Sequence, residues 1–355
     1  WFDCIYRALV LLVVACPCAL VISTPVTIVS GLAAAARKGI LIKGGVYLEG
    51  GRKLDFLALD KTGTITHGKP VQTDFMLLEP LFEGRAQALA ASLGERSDHP
   101  VSRAIAQFGK EQGTALSEVS AFAALAGRGV RGEIDGELYH LGNHRLVEEL
   151  GLCSPELEAE LDALERQGKT VVLLLDRSGP LALFAVADTV KDSSRQAIAE
   201  LHELGIKTVM LTGDNPHTAQ AIAAQVGIDR AEGNLLPSDK LNTIESLYAE
   251  GHRVGMVGDG INDAPALARA EIGFAMAAAG TDTAIETADV ALMDDDLRKI
   301  PAFVRLSRQS AAILTQNIVL ALGIKAIFLA ITFAGMATMW MAVFADMGVS
   351  LLVVF

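Results

Sequence analysis

Four aspartates and a lysine stand out by type and spacing. Asp60 opens Asp60-Lys61-Thr62-Gly63-Thr64, and Asp214 lies in Thr212-Gly213-Asp214-Asn215. Asp259 and Asp263 frame Gly258-Asp259-Gly260-Ile261-Asn262-Asp263, and Lys240 closes Pro237-Ser238-Asp239-Lys240. A carboxylate can attack phosphorus and hold the transferred group as an acyl phosphate. Asp60 is the candidate nucleophile. The incoming oxygens are negative, so the site needs cations and donors. Lys240 offers a fixed positive charge. Thr62, Thr64, Thr212 and the amides around Gly63 and Gly213 offer donors. Mg²⁺ takes hard oxygen ligands, and Asp259, Asp263 and Asp60 supply three.

A second constellation suits a different ion. Cys16-Pro17-Cys18 lies in an apolar run, with Lys325 and Asp346 in two later ones. On an intact helix, residues two apart point about 200° from each other. Pro17 lacks an N–H and frees a carbonyl near Val13, so the helix should open and bring both sulfurs to one metal. Thiolates select soft or borderline ions such as Cu(I), Zn²⁺, Cd²⁺ and Pb²⁺. Ionisable groups at membrane depth are costly and usually functional. Two thiolates and a carboxylate around a divalent ion leave one negative charge, which Lys325 cancels. A monovalent ion leaves that charge unbalanced. The reading is a divalent ion held by Cys16, Cys18 and Asp346, with Lys325 pairing with Asp346 when the metal is absent. Met339, Met341 and Met347 keep copper as an alternative.

Elements must position these groups. The 355-residue chain is 51% hydrophobic with net charge −12 and mean hydropathy +0.37. Such a balance argues against a nucleic-acid binder, which needs clustered Lys and Arg. Four cysteines, Cys4, Cys16, Cys18 and Cys153, do not make a disulfide framework. Residues 8–36, 318–336 and 338–355 are runs fit to cross roughly 30 Å of hydrocarbon. They predict one helix before the globular part and a hairpin after it. Arg37, Lys38, Lys43, Arg52 and Lys53 follow the first run, and Lys299, Arg305 and Arg308 precede the second. That bias puts the globular part in the cytoplasm. Residues 54–59, 208–211, 254–257, 272–276 and 290–293 read as buried parallel strands, with helices such as 193–204 and 217–226 between them. A doubly wound α/β domain follows. Residues 72–183 interrupt it as an inserted α+β domain. The chain starts and ends inside apolar sequence, which reads as a fragment.

Asp60-Lys61-Thr62-Gly63-Thr64-Ile65-Thr66, with the Thr212 and Gly258 segments, resembles the hallmark motifs of P-type ATPases. The resemblance spans essentially the whole chain. It implies a haloacid-dehalogenase-like phosphorylation domain in two parts, 50–71 and 184–297, with a nucleotide-binding domain at 72–183. Membrane segments would occupy 1–49 and 298–355. Asp60 would take the γ-phosphate of ATP, with Lys61, Thr212, Gly213, Asp214 and Asn262 in the catalytic motifs. Asp60, Thr62, Asp259 and Asp263 would hold Mg²⁺, and Lys240 would stabilise the transferring group. Within the insert, an imidazole at His99-Pro100 can meet an adenine, and Gly127 and Gly129 allow close backbone approach. These residues resemble the adenine site of the heavy-metal branch. A Glu often stands five residues before that His, but here the residue is Gly94, which leaves Glu95 as a substitute.

Cys-Pro-Cys marks the same branch. Lys325 and Asp346-Met347-Gly348 resemble its zinc/cadmium/lead-exporting subgroup. The resemblance implies a multi-pass pump of the plasma or inner membrane, with its catalytic domains in the cytoplasm. Its partners would be ATP, a metal ion, the bilayer and a preceding actuator domain. No Thr-Gly-Glu loop of such a domain occurs in the sequence. On that reading these residues alone bind nucleotide and accept phosphate but do not sustain transport. The rival readings are a copper pump, a soluble haloacid-dehalogenase-type phosphatase and a non-enzymatic metal-binding membrane protein.

Overall fold

The computed structural model describes residues 1–16, 18–125, 127–213, 216–259, 261–277 and 282–354. Two sheets organise the globular part. The larger has seven strands in the order Ile40–Ile42, Val290–Leu292, Ile272–Met276, Val254–Gly258, Phe56–Asp60, Lys207–Leu211, Arg230–Glu232. All pairs are parallel except the first. Alternate residues of Phe56–Asp60 serve two cores. Leu57 and Leu59 pack with helices Asp192–Glu203 and Pro216–Val226, while Phe56 and Ala58 pack with Pro237–Ala249 and Ala264–Arg269. Both faces are covered, as continuous apolar strands require.

The strand Phe56–Asp60 is central, with Lys207–Leu211 on one side and Val254–Gly258 on the other. The strand order reverses there, and ligands bind outside the carboxyl ends at such a point. Asp60 is the last residue of its strand, and Asp259 follows the last residue of its neighbour.

The second sheet has six antiparallel strands in the order Thr66–Leu77, Pro180–Val190, Thr170–Leu175, Glu137–Asn143, Gly129–Ile134, Ser120–Leu125. Val172 and Leu174 face helices Ala86–Glu95 and Pro100–Glu111, whereas Leu173 and Leu175 face His144–Glu149 and Pro155–Glu165. That is the two-residue period of a strand. The edge strand Thr66–Leu77 and its neighbour Pro180–Val190 join the two sheets as a ribbon, tied where Thr66 Oγ1 lies 2.5 Å from Asp188 Oδ2 and 3.0 Å from the Lys61 carbonyl.

Among the described residues, two spans are long and apolar enough to cross a membrane, Cys4–Arg37 and Lys299–Phe333. Their outward side chains, such as Leu12, Val21, Val29, Val319 and Phe333, are exposed. The expected third span is helical from Met339 to Val354, the last described residue. It is an apolar helical stretch with a wider turn at Phe344–Gly348. The expected second span starts earlier. Lys299–Phe333 is one continuous helix, because its polar first part packs on the large sheet through Ile300, Phe303 and Val304. Phe303 meets Phe274 edge-on, with centroids 5.3 Å apart.

Candidate functional site

Local sequence places each group of the phosphoryl site. Pro237 starts the helix Pro237–Ala249, and Asp239 accepts from the Leu236 N–H at 2.9 Å, so the first turn is fixed and Lys240 points inward. Its ammonium, 8% exposed, contacts Asp60 Oδ1 and donates to Asp263 Oδ1 at 2.7 Å. Gly63 turns the chain after Asp60 with φ +71, and a Cβ there would run into the Asp259 carboxylate. Oxygens of Asp60, Asp259 and Asp263 lie within 4.8 Å of one another.

This charge balance is informative. Two buried carboxylates, Asp60 and Asp263, and a half-buried one, Asp259, crowd around the Lys240 ammonium. Burial, then the charge of Asp263, raises Asp60 to about 7 against the pull of Lys240. Burial and Asp263 raise Asp259 to about 6. Burial lowers Lys240, but Asp60 and Asp263 outweigh it and hold the ammonium charged. Surplus negative charge of this kind fits a hard divalent cation, which would favour both carboxylates ionised. Thr64 Oγ1 is fully buried without a hydrogen-bond partner among the described residues. A free hydroxyl there suits a phosphoryl oxygen.

The other expected residues fall around this centre. Thr62 and Gly63 line an opening of about 810 Å³ together with Asp259. Thr212 is buried where its N–H meets the Glu232 carbonyl at 3.0 Å, and Gly213 follows it. Lys61 is buried, and Asn262 is exposed on the turn Ile261–Asp263. Asp214, with Asn215 and Gly260, lies outside the described residues. Lys191 was not foreseen. It ends the returning ribbon, lines the same opening and donates to the Gly63 carbonyl at 2.5 Å. Burial pulls its ammonium down from its ordinary value. Its only signal in the sequence is its place where the inserted domain returns.

Gly63→Ala should lower phosphoenzyme formation roughly 100-fold, the scale of one misplaced electrostatic group. The backbone would be strained at φ +71 and Asp259 displaced. Acid-stable labelling from ATP measures it, and labelling within twofold of the parent would contradict this geometry.

In the second sheet, His99, Gly127 and Gly129 line a cavity of about 600 Å³ with Phe122 and Arg128. His99 precedes the helix begun by Pro100, and its N–H donates to Ser97 Oγ at 3.2 Å. A Cβ at Gly129, φ +139, would meet the Leu141 carbonyl. Glu95 does not line this cavity; its carboxylate pairs with Lys110 at 2.7 Å. Gly94 explains why no acid replaces it. A Cβ at Gly94 would collide with the Ser102 carbonyl, so close packing of the two helices requires glycine there.

The membrane segments form the third group. The first helix ends at Ala15, Cys16 is extended at φ −65 and ψ 123, and a new helix begins at Cys18. Pro17 itself lies outside the described residues. The two sulfurs are 2.8 Å apart, and with an Asp346 oxygen they lie within 4.8 Å of one another. Lys325 Nζ is 3.2 Å from Asp346 Oδ1. It also donates to the Val14 carbonyl at 3.1 Å and to that of Cys16, which the break leaves without helical partners.

A parallel sheet that gathers carboxylates and a lysine at its switch point defines a phosphotransfer domain. The family model described as haloacid dehalogenase-like hydrolase matches residues 54–271. The chain is 48% identical over 99% of its length to a probable cadmium-transporting ATPase of Staphylococcus aureus (strain MRSA252), covering 49% of that protein. It is 43% identical over 99% of its length to a zinc/cadmium/lead-transporting P-type ATPase of Escherichia coli (strain K12), covering 47% of it. A crystal structure of a zinc-transporting PIB-type ATPase in the E2.Pi state superposes on the whole chain with TM-score 0.92 and 42% identity, the match covering 57% of that structure. The chain belongs to the haloacid dehalogenase-like hydrolases, and over nearly its whole length it is similar to heavy-metal P-type ATPases. It spans about half the length of the relatives it matches.

Proposed function

We propose that this chain carries the catalytic and part of the membrane machinery of an ATP-driven exporter of a divalent soft metal ion, Zn²⁺, Cd²⁺ or Pb²⁺. The supporting observation is the presence in one chain of an Asp60–Asp259–Asp263–Lys240 cluster and a Cys16–Cys18–Asp346 cluster. A soluble phosphatase has no use for the second, and a passive metal-binding protein has none for the first.

ATP would sit with its base in the cavity beside His99, Gly127 and Gly129. An Asp60 oxygen forms the bond to the γ-phosphorus while the bond to the bridging oxygen breaks, and the electron pair leaves with ADP. Lys240 offsets the negative charge of the entering group. Thr64 and Thr62, with amides near Gly63 and Gly213, donate to its oxygens. Asp60, Asp259, Asp263 and Thr62 would hold Mg²⁺, which supplies charge neutralisation when bound. Lys61, Asp214 and Asn262 belong to the same catalytic motifs. Lys191 fixes the Gly63 turn and is a positioning residue.

At the membrane site, Cys16, Cys18 and Asp346 would take the ion, and Lys325 would balance the charge. Copper is the alternative cargo. It leaves one negative charge unbalanced beside Lys325, in hydrocarbon, where such charge is expensive. The pump would sit in the plasma or inner membrane with both sheets in the cytoplasm. ATPase activity of the full-length pump, measured across metals at controlled thiol reductant, tests the reading. Stimulation by Zn²⁺, Cd²⁺ and Pb²⁺ is expected, and stimulation by Cu(I) alone would overturn it.

A further inference from the structure

Far from both clusters, the nucleotide domain gathers a third set of ligand types. His144 opens the helix His144–Glu149, and Glu148 stands one turn later on the same face. Cys153 lies in the following loop, and Glu158 on the helix Pro155–Glu165. Ligand atoms of His144, Glu148 and Glu158 lie within 4.8 Å of one another. His144 Nε2 is 3.7 Å from the Cys153 sulfur and 4.0 Å from Glu148 Oε1. In a tetrahedral zinc site the corresponding edges are about 3.3 to 3.5 Å, from bond lengths near 2.0 and 2.3 Å. Small rotamer changes would close the difference.

Charge points the same way. Among the described residues, Glu148 and Glu165 have no ion pair except with His144, and Glu158 has none. The nearby cations are engaged elsewhere, Arg145 with Glu149 at 3.4 Å and Lys169 with Asp74 at 2.7 Å. Several carboxylates thus surround one imidazole that is only 18% exposed. Glu165 Oε1 stands 3.8 Å from Nδ1, on the other side of the ring from the cluster. A carboxylate there is the usual outer partner of a metal-bound imidazole.

We propose that His144, Cys153, Glu148 and Glu158 form a second site for a soft divalent cation, whose occupancy is felt at the nucleotide cavity. Binding displaces the thiol proton of Cys153 to solvent. Asn143 is the link. Its Oδ1 accepts from the Leu146 N–H at 3.2 Å at the start of the ligand helix, and its Nδ2 donates to the Gly127 carbonyl at 3.0 Å. Gly127 and Asn143 both line the cavity beside His99. Fixing the helix therefore fixes one wall of the cavity.

The test uses the 355-residue chain carrying Cys16→Ser and Cys18→Ser, so that the membrane cluster takes no thiolate ion. Cd²⁺ is titrated with a non-thiol reductant present. One Cd²⁺ per chain is expected, with a thiolate-to-metal charge-transfer band that Cys153→Ser removes. His144→Ala should weaken binding at least about tenfold, and Glu158→Gln by less. Binding of a fluorescent ATP analogue without Cd²⁺ reports that each variant is folded. Cd²⁺ should shift that analogue's affinity severalfold in the parent and not in His144→Ala. Absence of binding, or a band that survives Cys153→Ser, overturns the site. Binding that leaves the analogue's affinity unchanged overturns the coupling.

Discussion

Asp60→Asn should abolish acid-stable ³²P labelling from γ-labelled ATP. The amide is nearly isosteric, so the strand end and its neighbours stay in place, yet its oxygen cannot attack phosphorus. Loss of the nucleophile itself typically removes four or more orders of magnitude of rate. The substitution also takes away one of the two carboxylates that Lys240 contacts, but Asp263 still pairs with the ammonium at 2.7 Å, so the site keeps a compensated charge. Folding should survive for that reason. Removing Lys240 instead would leave carboxylates buried without their cation, a change of about 3–5 kcal/mol, and would confuse chemistry with stability. Asp60→Asn labelling above a hundredth of the parent level would remove Asp60 from the nucleophile's place.

Asp346→Ala in the full-length pump should eliminate Zn²⁺- and Cd²⁺-stimulated ATPase at metal concentrations that saturate the parent. Loss of an outer-shell partner alone commonly costs 10- to 100-fold in metal affinity. Loss of a ligand that also compensates a membrane-buried cation should exceed about 100-fold. Without Asp346, Lys325 keeps, among the described residues, the carbonyls of Val14 and Cys16. Its positive charge would then face the incoming ion unopposed. Metal titrations of the ATPase rate check this, and an unchanged half-saturating Zn²⁺ concentration would exclude Asp346 from the ion's coordination.

Much of the candidate site's geometry is legible because parallel strands bring their carboxyl ends together. Asp60 and Asp259 each follow a short apolar run, so their convergence follows from the period and the sheet type. Lys191 was not legible. A single lysine at the end of a strand carries no pattern, and its bond to the Gly63 carbonyl depends on where the ribbon returns. Glu95 misled for a related reason. What excludes a glutamate at position 94 is the approach of two helices at Ser102, a distance no local sequence encodes. The thiol pair was readable from Cys-Pro-Cys alone. The second role of Lys325, holding the carbonyls freed by the break, required three dimensions.

The helix Lys299–Phe333 carries Phe303 in the core against the large sheet and Lys325 beside Asp346. Between them lie about six turns and about 33 Å of uninterrupted helix. It would work as an axle: rotation or travel imposed at the end packed on the large sheet would arrive beside Asp346 with its phase intact. A shift at the large sheet would therefore reach the Lys325 ammonium through a single rod, in angle as well as in depth.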